Sequence, residues 1–202
     1  MYSLSPEKPT KKISRPRLGR AKRLLAVVVT SGMMVSLGCS QSETDRPHRY
    51  EATVVKTEYG IPHITAESWG SLGFGEAYTA AEDHICNMAL ALVQSRGESA
   101  AVFGPGPRNR NLSRDIVVKA LGIPEKADEA LAAQEPLIKE WVEGYTAGYN
   151  QFVNERAGKF GSWCNDATWV RPVTATEFMA QYVTLVYTCL LYTSPSPRDV
   201  CS

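Results

Sequence analysis

The sequence predicts an α+β fold, mostly helical with an N-terminal β-hairpin, on three observations. Two short β-favouring runs, Ala52–Thr57 and Ile61–Thr65, flank Glu58-Tyr59-Gly60, a turn-forming triplet. Beyond them apolar residues recur at helical spacing for most of the chain, and Gly and Pro clusters cut that pattern into separate helices. The composition, 44% hydrophobic and 21% charged over 202 residues, is that of globular material able to bury a core.

The order of elements follows. Pro62 has no amide to donate to a ladder, so its strand belongs on an edge. Ser68 is an N-cap residue for a helix-rich stretch to about Phe103, with Leu72, Ala77, Ala80, Ala81, Ile85, Met88, Leu92 and Val93 on an apolar face. Gly73 and Gly75 predict a loop or break in its first turns. Gly104-Pro-Gly-Pro107 ends the stretch, Ser113 opens a short helix closed by Gly122, and Pro124 starts another. Between Pro136 and Ala157, Leu137, Trp141, Tyr145, Gly148 and Phe152 share one face. Gly144 and Gly148 on or near it allow another element to come close, at a local cost of ~1 kcal/mol each relative to alanine. Lys159 to Pro172 reads as a loop. Thr174-Ala-Thr-Glu177 is a capping box that opens the last helix.

Charge separates the leading segment from the body. Eight of the 22 basic residues precede Leu24 with only Glu7 against them, which leaves 14 basic residues facing 20 acidic ones. A mildly acidic body argues against a nucleic-acid surface. The basic run is instead followed by the uncharged apolar stretch Leu24–Gly38 and then Cys39, the layout of a secretory leader over residues 1–38. Fifteen residues at ~1.5 Å each fall short of a ~30 Å hydrocarbon core, so a permanent span, with Cys39 unprocessed, is the weaker reading. Ser36-Leu37-Gly38-Cys39 resembles a lipoprotein cleavage box, with Cys39 as the lipidated residue, and simple cleavage with release is the alternative. Either way the expected location is the periplasm or outer membrane, and any membrane contact is through the lipid anchor. Residues 39–49 are polar and read as a flexible tether. Cys189–Asp199 looks like the translation of a transposase adapter used in sequencing libraries, so residues 189–202 are read as a non-native tail, with a genuine Pro-rich tail as the alternative. The folded segment is then 50–188.

Several residue groups invite chemistry and are better read as structural. Gly73-Phe-Gly75-Glu-Ala-Tyr78 lacks the third glycine of a dinucleotide fingerprint. Glu82-Asp83-His84 has metal-binding residue types, but three consecutive helical residues point to different faces. Glu98 and Asp115 cannot be assigned a separation, so no glycosidase pair is read from them. Cys86 and Cys164 are free to pair outside the cytoplasm, though sequence alone does not fix their distance.

Taken in order, Val55–Ile64, Gly73–His84, Arg96-Gly-Glu98, Ser113-Arg-Asp115 and Gly144-Tyr-Thr-Ala-Gly-Tyr-Asn150 resemble the N-terminal part of the penicillin acylase family, nearest its acyl-homoserine-lactone and aculeacin acylases. Trp169-Val-Arg-Pro172 followed by Glu177 is similar to a Trp-Pro-acidic signature, with shifted spacing and Glu in place of Asp. The resemblance implies an N-terminal nucleophile hydrolase of αββα layering, completed only with a β chain cut from the same precursor. The nucleophilic serine would begin that β chain and use its own α-amino group as base, with the oxyanion hole also there. No catalytic residue is then expected in this segment, which would be inactive alone toward its acyl-amide small-molecule substrate. It would lend acyl-pocket residues from the last helix, for which Val183, Val186 and Tyr187 are candidates. The resemblance also implies structural calcium at the chain interface, with Glu177 the nearest carboxylate. From another class, the rival reading is a non-catalytic envelope lipoprotein that binds a partner through its helical face.

Overall fold

The computed structural model describes residues 11–14 and 50–193. Most of the leader, Cys39, the tether and residues 194–202 of the tail lie outside the described residues. Three short strands, β1 (Lys11–Ser14), β2 (Glu51–Lys56) and β3 (Pro62–Thr65), form an antiparallel sheet in the order β1-β2-β3. Six helices follow: α1 (Trp69–Ser95), α2 (Ser99–Phe103), α3 (Arg110–Ala120), α4 (Ile123–Ala132), α5 (Pro136–Arg156) and α6 (Ala175–Thr193).

The expected hairpin is β2–β3. Thr57 and Ile61 close it (N–O 3.0 Å) around Gly60 at φ +81°, and Pro62 lies on the outer strand, where no ladder amide is required of it. The sheet has a third member that the hairpin reading did not include, because β1 lies within the stretch read as leader. Its register pairs Lys11 with Val54 and Ile13 with Ala52. Ile13, Ala52 and Val54 turn inward and are buried, with Ile64 packed beside them on α1.

Ser68 caps α1 by accepting from the Ser71 amide (3.1 Å), and the Ser71 hydroxyl accepts in turn from the Glu51 amide (3.2 Å), joining helix and sheet. The break expected at Gly73 and Gly75 is absent. α1 runs through both, and its one non-helical residue is His84 (φ −152°, ψ 41°). The physical reason is packing. A Cβ at Gly73 would lie 2.4 Å from the Trp141 carbonyl oxygen on α5, and one at Gly75 would lie 2.6 Å from the Ala52 Cβ on β2. From the α5 side, a Cβ at Gly144 would meet the Gly70 carbonyl, and one at Gly148 would lie 2.2 Å from the Phe74 carbonyl oxygen. Gly73, Gly144 and Gly148 therefore let two helix backbones touch, as expected for α5, and Gly75 lets the Ala52 and Ile64 side chains of the sheet close on α1, contacts that offset the ~1 kcal/mol propensity cost of each.

The second correction concerns the start of α3. It begins at Arg110 rather than Ser113, because Asn111 closes the Gly104–Pro107 turn: its amide donates to the Pro105 carbonyl (3.0 Å) and its side chain to the Gly104 carbonyl (2.9 Å). Gly122 at φ +62° ends α3 as read, and Pro124 sits in the first turn of α4. The capping box of α6 is present with both halves made: the Glu177 amide donates to Thr174 Oγ1 (3.2 Å) and the Thr174 amide to Glu177 Oε2 (2.8 Å). α6 continues past Thr188 to Thr193, so the boundary read at 188 falls within a helix.

Two apolar clusters hold these elements. The larger lies between the sheet, α1, α5 and the loop before α6, around Phe74, Ile85, Leu92, Tyr149 and Phe152. The smaller joins α3, α4, α5 and α6 through Val118, Ile123, Val142, Met179 and Ala180. Cys86 of α1 and Cys164 of the loop, left open in the sequence, form a disulfide with Cα atoms 5.5 Å apart. Asn150 of α5 then fixes the entry to α6 by bonding both the amide and the carbonyl of Val173 (2.8 Å each).

Candidate acyl-binding groove

Among the described residues, a concavity lies where the C-terminal half of α1 faces α6. It is a groove of about 300 Å³, walled by Ala91, Gln94 and Ser95 on α1 and by Gln181, Tyr182, Thr184, Leu185 and Thr188 on α6. The helical period explains the α6 side, since residues 181, 184, 185 and 188 recur three and four apart and share one stripe. Two of its hydroxyls are turned back on the backbone: Thr184 donates to the Ala180 carbonyl and Thr188 to the Thr184 carbonyl (2.8 Å each). The buried Ser95 hydroxyl likewise donates to the Leu92 carbonyl (3.0 Å). With their protons so directed, these hydroxyls leave the groove mainly apolar, and no lining residue is a titratable acid or base of the kind proton transfer near neutral pH requires. The arrangement suits holding an apolar group rather than cleaving a bond.

The residues singled out from sequence sit around this groove rather than in it. Val183 and Tyr187 face away, toward the α4 cluster, where Lys126 lies 5.8 Å from the Tyr187 ring centre. Val186 is exposed (57%) and continues the apolar surface outward beside Leu185 and Leu190, both equally exposed. Gln94, Ser95 and Thr184 line the groove without having been singled out from sequence. The signal that could have found them is the stripe three and four residues from Gln181, together with the Arg96-Gly-Glu98 motif that follows Ser95.

That motif ties the two walls together. Arg96, largely buried at the end of α1, reaches Glu98 (2.7 Å) and Glu177 in the first turn of α6 (3.4 Å), and Arg171 reaches the same Glu177 oxygen (2.7 Å). Burial pushes the Glu177 carboxyl up, but the Arg171 and Thr174 hydrogen bonds and the charges of Arg171 and Arg96 outweigh it and hold the group below the usual carboxylate range. Both Glu177 oxygens are thus taken by donors, and two guanidiniums lie beside them. These are not the surroundings of a calcium ligand, which keeps its oxygens for the ion and avoids adjacent cations. Among the described residues no three His, Cys, Asp or Glu side chains converge as a metal site.

The other motif residues have structural work. Asp115, 5% exposed, accepts from the amides of Ser99 (3.0 Å) and Ala100 (2.6 Å) and so caps α2 from α3. Glu82 and Asp83 pair with Lys56, while His84 marks the kink, so the three do not meet. Tyr78 donates to Glu155 (2.6 Å), and its phenol is pushed up by burial first and by that carboxylate next. An aromatic chain backs the groove: Trp141 packs on Tyr182 (6.3 Å) and Tyr145 (5.0 Å), and Tyr145 and Tyr149 both meet Phe178 edge-on. No helix among the described residues is long and apolar enough to cross a membrane.

Comparison with known proteins gives these features a family. The Penicillin amidase family profile matches residues 51–193. An acyl-homoserine lactone acylase PvdQ from Pseudomonas savastanoi is 33% identical over 132 residues, covering 63% of this chain and 17% of that protein. Aculeacin-A acylase from Actinoplanes utahensis is 32% identical over 168 residues, covering 77% and 21%. The chain therefore spans about a fifth of the length of these relatives. Among solved structures, a thermostable penicillin G acylase from Alcaligenes faecalis superposes with a TM-score of 0.61 at 24% identity, covering 71% of this chain and 76% of the other, and so shares the fold. With the ordered motifs, the helical frame and the family match over the same residues in agreement, the chain belongs to the penicillin amidase family.

Proposed function

We propose that this chain is the α segment of an exported acylase that hydrolyses the amide bond of N-acyl compounds, among them acyl-homoserine lactones, β-lactam side chains and lipopeptides. The observation that carries this reading is an apolar groove on α1 and α6 within a segment that the family profile covers from end to end. In this reading α6 forms one wall of the acyl pocket, with Leu185 and Tyr182 in the groove and Val186 extending the wall toward the partner chain. Val183 and Tyr187 act from behind, holding α6 against α4.

The chemistry belongs to a β chain that follows this segment in the precursor. Its first residue, a serine, attacks the amide carbonyl carbon while the free α-amino group takes the hydroxyl proton and delivers it to the leaving amine. Water then hydrolyses the acyl ester and regenerates the serine. This segment contributes binding and position and is inactive alone. Calcium is not included, because the Glu177 oxygens are committed to Arg171, Arg96 and Thr174.

An exported location is supported by the Cys86–Cys164 disulfide, since such bonds persist in oxidising compartments. Cys39 is the proposed lipidated residue, and mass spectrometry of the exported product would show the added acyl groups or their absence. The functional test expresses this chain alone and together with the C-terminal remainder of its reading frame, assayed on amides of graded acyl length. Turnover is expected only from the pair. Activity from the chain alone would sink the reading, and partner capture with no turnover from the pair would favour the envelope-lipoprotein alternative. Within the active pair, Leu185→Trp fills the groove and should lower kcat/KM for long acyl chains by about tenfold or more relative to short ones.

A further inference from the structure

The stretch between Ser99 and Gly122 differs in charge from the rest of the body. Beyond the leading segment the sequence carries 14 basic residues against 20 acidic ones, whereas this stretch holds Arg108, Arg110, Arg114 and Lys119 against the single acid Asp115. That carboxylate is buried, where it caps α2, and the four cations are exposed with no ion pair among the described residues. Apolar side chains stand among them. At about 100° per residue, Leu112, Ile116 and Val117 fall on the side of α3 away from the buried Asp115 and Val118. Ile116 is 57% and Val117 49% exposed. Arg110 and Arg114, four apart, flank this ridge on one side, and Lys119 flanks it on the other. Asn111 closes the preceding turn on the Gly104 carbonyl and so sets Phe103 at the N-terminal end of the same helix. The Phe103 ring packs edge-on against Trp169 (5.3 Å), and Trp169 against Trp163 (5.5 Å), which is 61% exposed.

We propose that the outer face of α3 is a membrane-contact surface for bilayers that contain anionic phospholipid, with the aliphatic ridge at the boundary between headgroups and acyl chains and the flanking cations on lipid phosphates. An exposed aliphatic ridge marks an interaction site. Cations on both of its flanks, on a body that is acidic overall, select an anionic partner. The choice of a bilayer over an acidic protein rests on the shape and composition of the ridge. It is the convex side of a single helix, and a protein would need a matching groove to cover it. Arg and Lys suit phosphates, exposed Trp and Phe the interfacial layer, and Leu, Ile and Val the outermost acyl region. None of these residues lines the groove between α1 and α6, so the inference does not depend on the acylase reading. It adds a second contact to any made through the Cys39 anchor.

The test takes the complete exported protein, made with an ordinary cleavable leader in place of residues 1–39 so that neither the basic leader nor a lipid on Cys39 contributes. Co-sedimentation with vesicles of phosphatidylglycerol and phosphatidylcholine in equal parts measures the partition constant. Binding is expected, should fall as salt is added, and should be absent on phosphatidylcholine alone. Arg110→Gln combined with Arg114→Gln should weaken it about thirtyfold, the loss of two cations at an anionic surface. Ile116→Ser combined with Val117→Ser should weaken it at least tenfold, and all four positions are exposed, so unfolding midpoints in urea should stay unchanged. Failure of the complete protein to bind would show that this face is covered within it and would overturn the proposal. Equal binding to both kinds of vesicle, or binding that either double variant leaves unchanged, would do the same. Retention on immobilised polyglutamate as strong as on the vesicles would assign the face to an acidic protein instead.

Discussion

Replacing Gly144 by alanine tests whether backbone contact between α1 and α5 is what holds this segment together. In an exposed helix the change would stabilise, because alanine is favoured over glycine by ~1 kcal/mol. Here the new Cβ would lie 1.8 Å from the Gly70 carbonyl oxygen and 2.5 Å from its carbonyl carbon, where ordinary contact begins at 3.4 Å. The obstacle is backbone in the first turn of α1, so no side chain can swing aside. The helices must part, and the contacts of Phe74, Ala77 and Tyr149 on either side loosen with them. Overpacking of this severity costs ~3 kcal/mol, which the propensity gain offsets only in part, for a net loss of ~2 kcal/mol. For a domain of this size that is a fall in Tm of ~4–8 °C. Urea unfolding followed by tryptophan fluorescence reads it directly, since Trp141 lies one turn from the substitution. Gly148→Ala, one turn further on against Phe74, should behave alike, and the double variant should lose less than the sum because the helices have already parted. A gain in stability from Gly144→Ala would refute the reasoning.

The remaining predictions concern the bonds around that helix pair. Cys86→Ala should cost about 4.5 kcal/mol on the chain-entropy relation for a loop closed over 78 residues, seen as a lower urea midpoint that added reductant no longer shifts. Asp115→Ala leaves the Ser99 and Ala100 amides without their acceptor and should cost ~1–2 kcal/mol, with faster amide exchange confined to α2 and its junction with α1. In the folded chain the Arg171 and Thr174 hydrogen bonds hold Glu177 below the ordinary glutamate value of about 4.5, so its contribution to stability is complete above that value and is lost as the pH falls through the lower folded one. Glu177→Gln should therefore flatten that part of the acid limb of a stability–pH curve, and an unchanged limb would assign it to other carboxylates.

Local rules made most of the frame legible. The capping box at Thr174, the αL glycine at 122 and the proline of α4 each act through backbone groups within a few residues, so their outcome is settled before any tertiary contact forms. The misreading of Gly73 and Gly75 arose where a distant segment decides. Gly73 and Gly75 look like helix breakers along the chain and become contact points only once α5 and β2 are laid against them. The α3 boundary shifted because a side chain four residues past the last proline, that of Asn111, reached back to close the turn.

The groove was legible in its helix and not in its face. Helical spacing gives stripes on α6 but not which one meets α1, and Val183 and Tyr187 belong to the stripe that α4 claims. What selects the face is the polar clamp at the base of the helix. Asn150 sets where the chain enters α6, and Arg96 and Arg171 converge on Glu177, fixing its rotation against the end of α1. The pieces of that clamp all lie in motifs that carried the family resemblance, Arg96-Gly-Glu98, the run ending at Asn150 and the Trp-Pro-acidic signature. On the proposed function these motifs orient one wall of the acyl pocket, and loosening them should blur acyl selectivity before it abolishes turnover of the assembled enzyme.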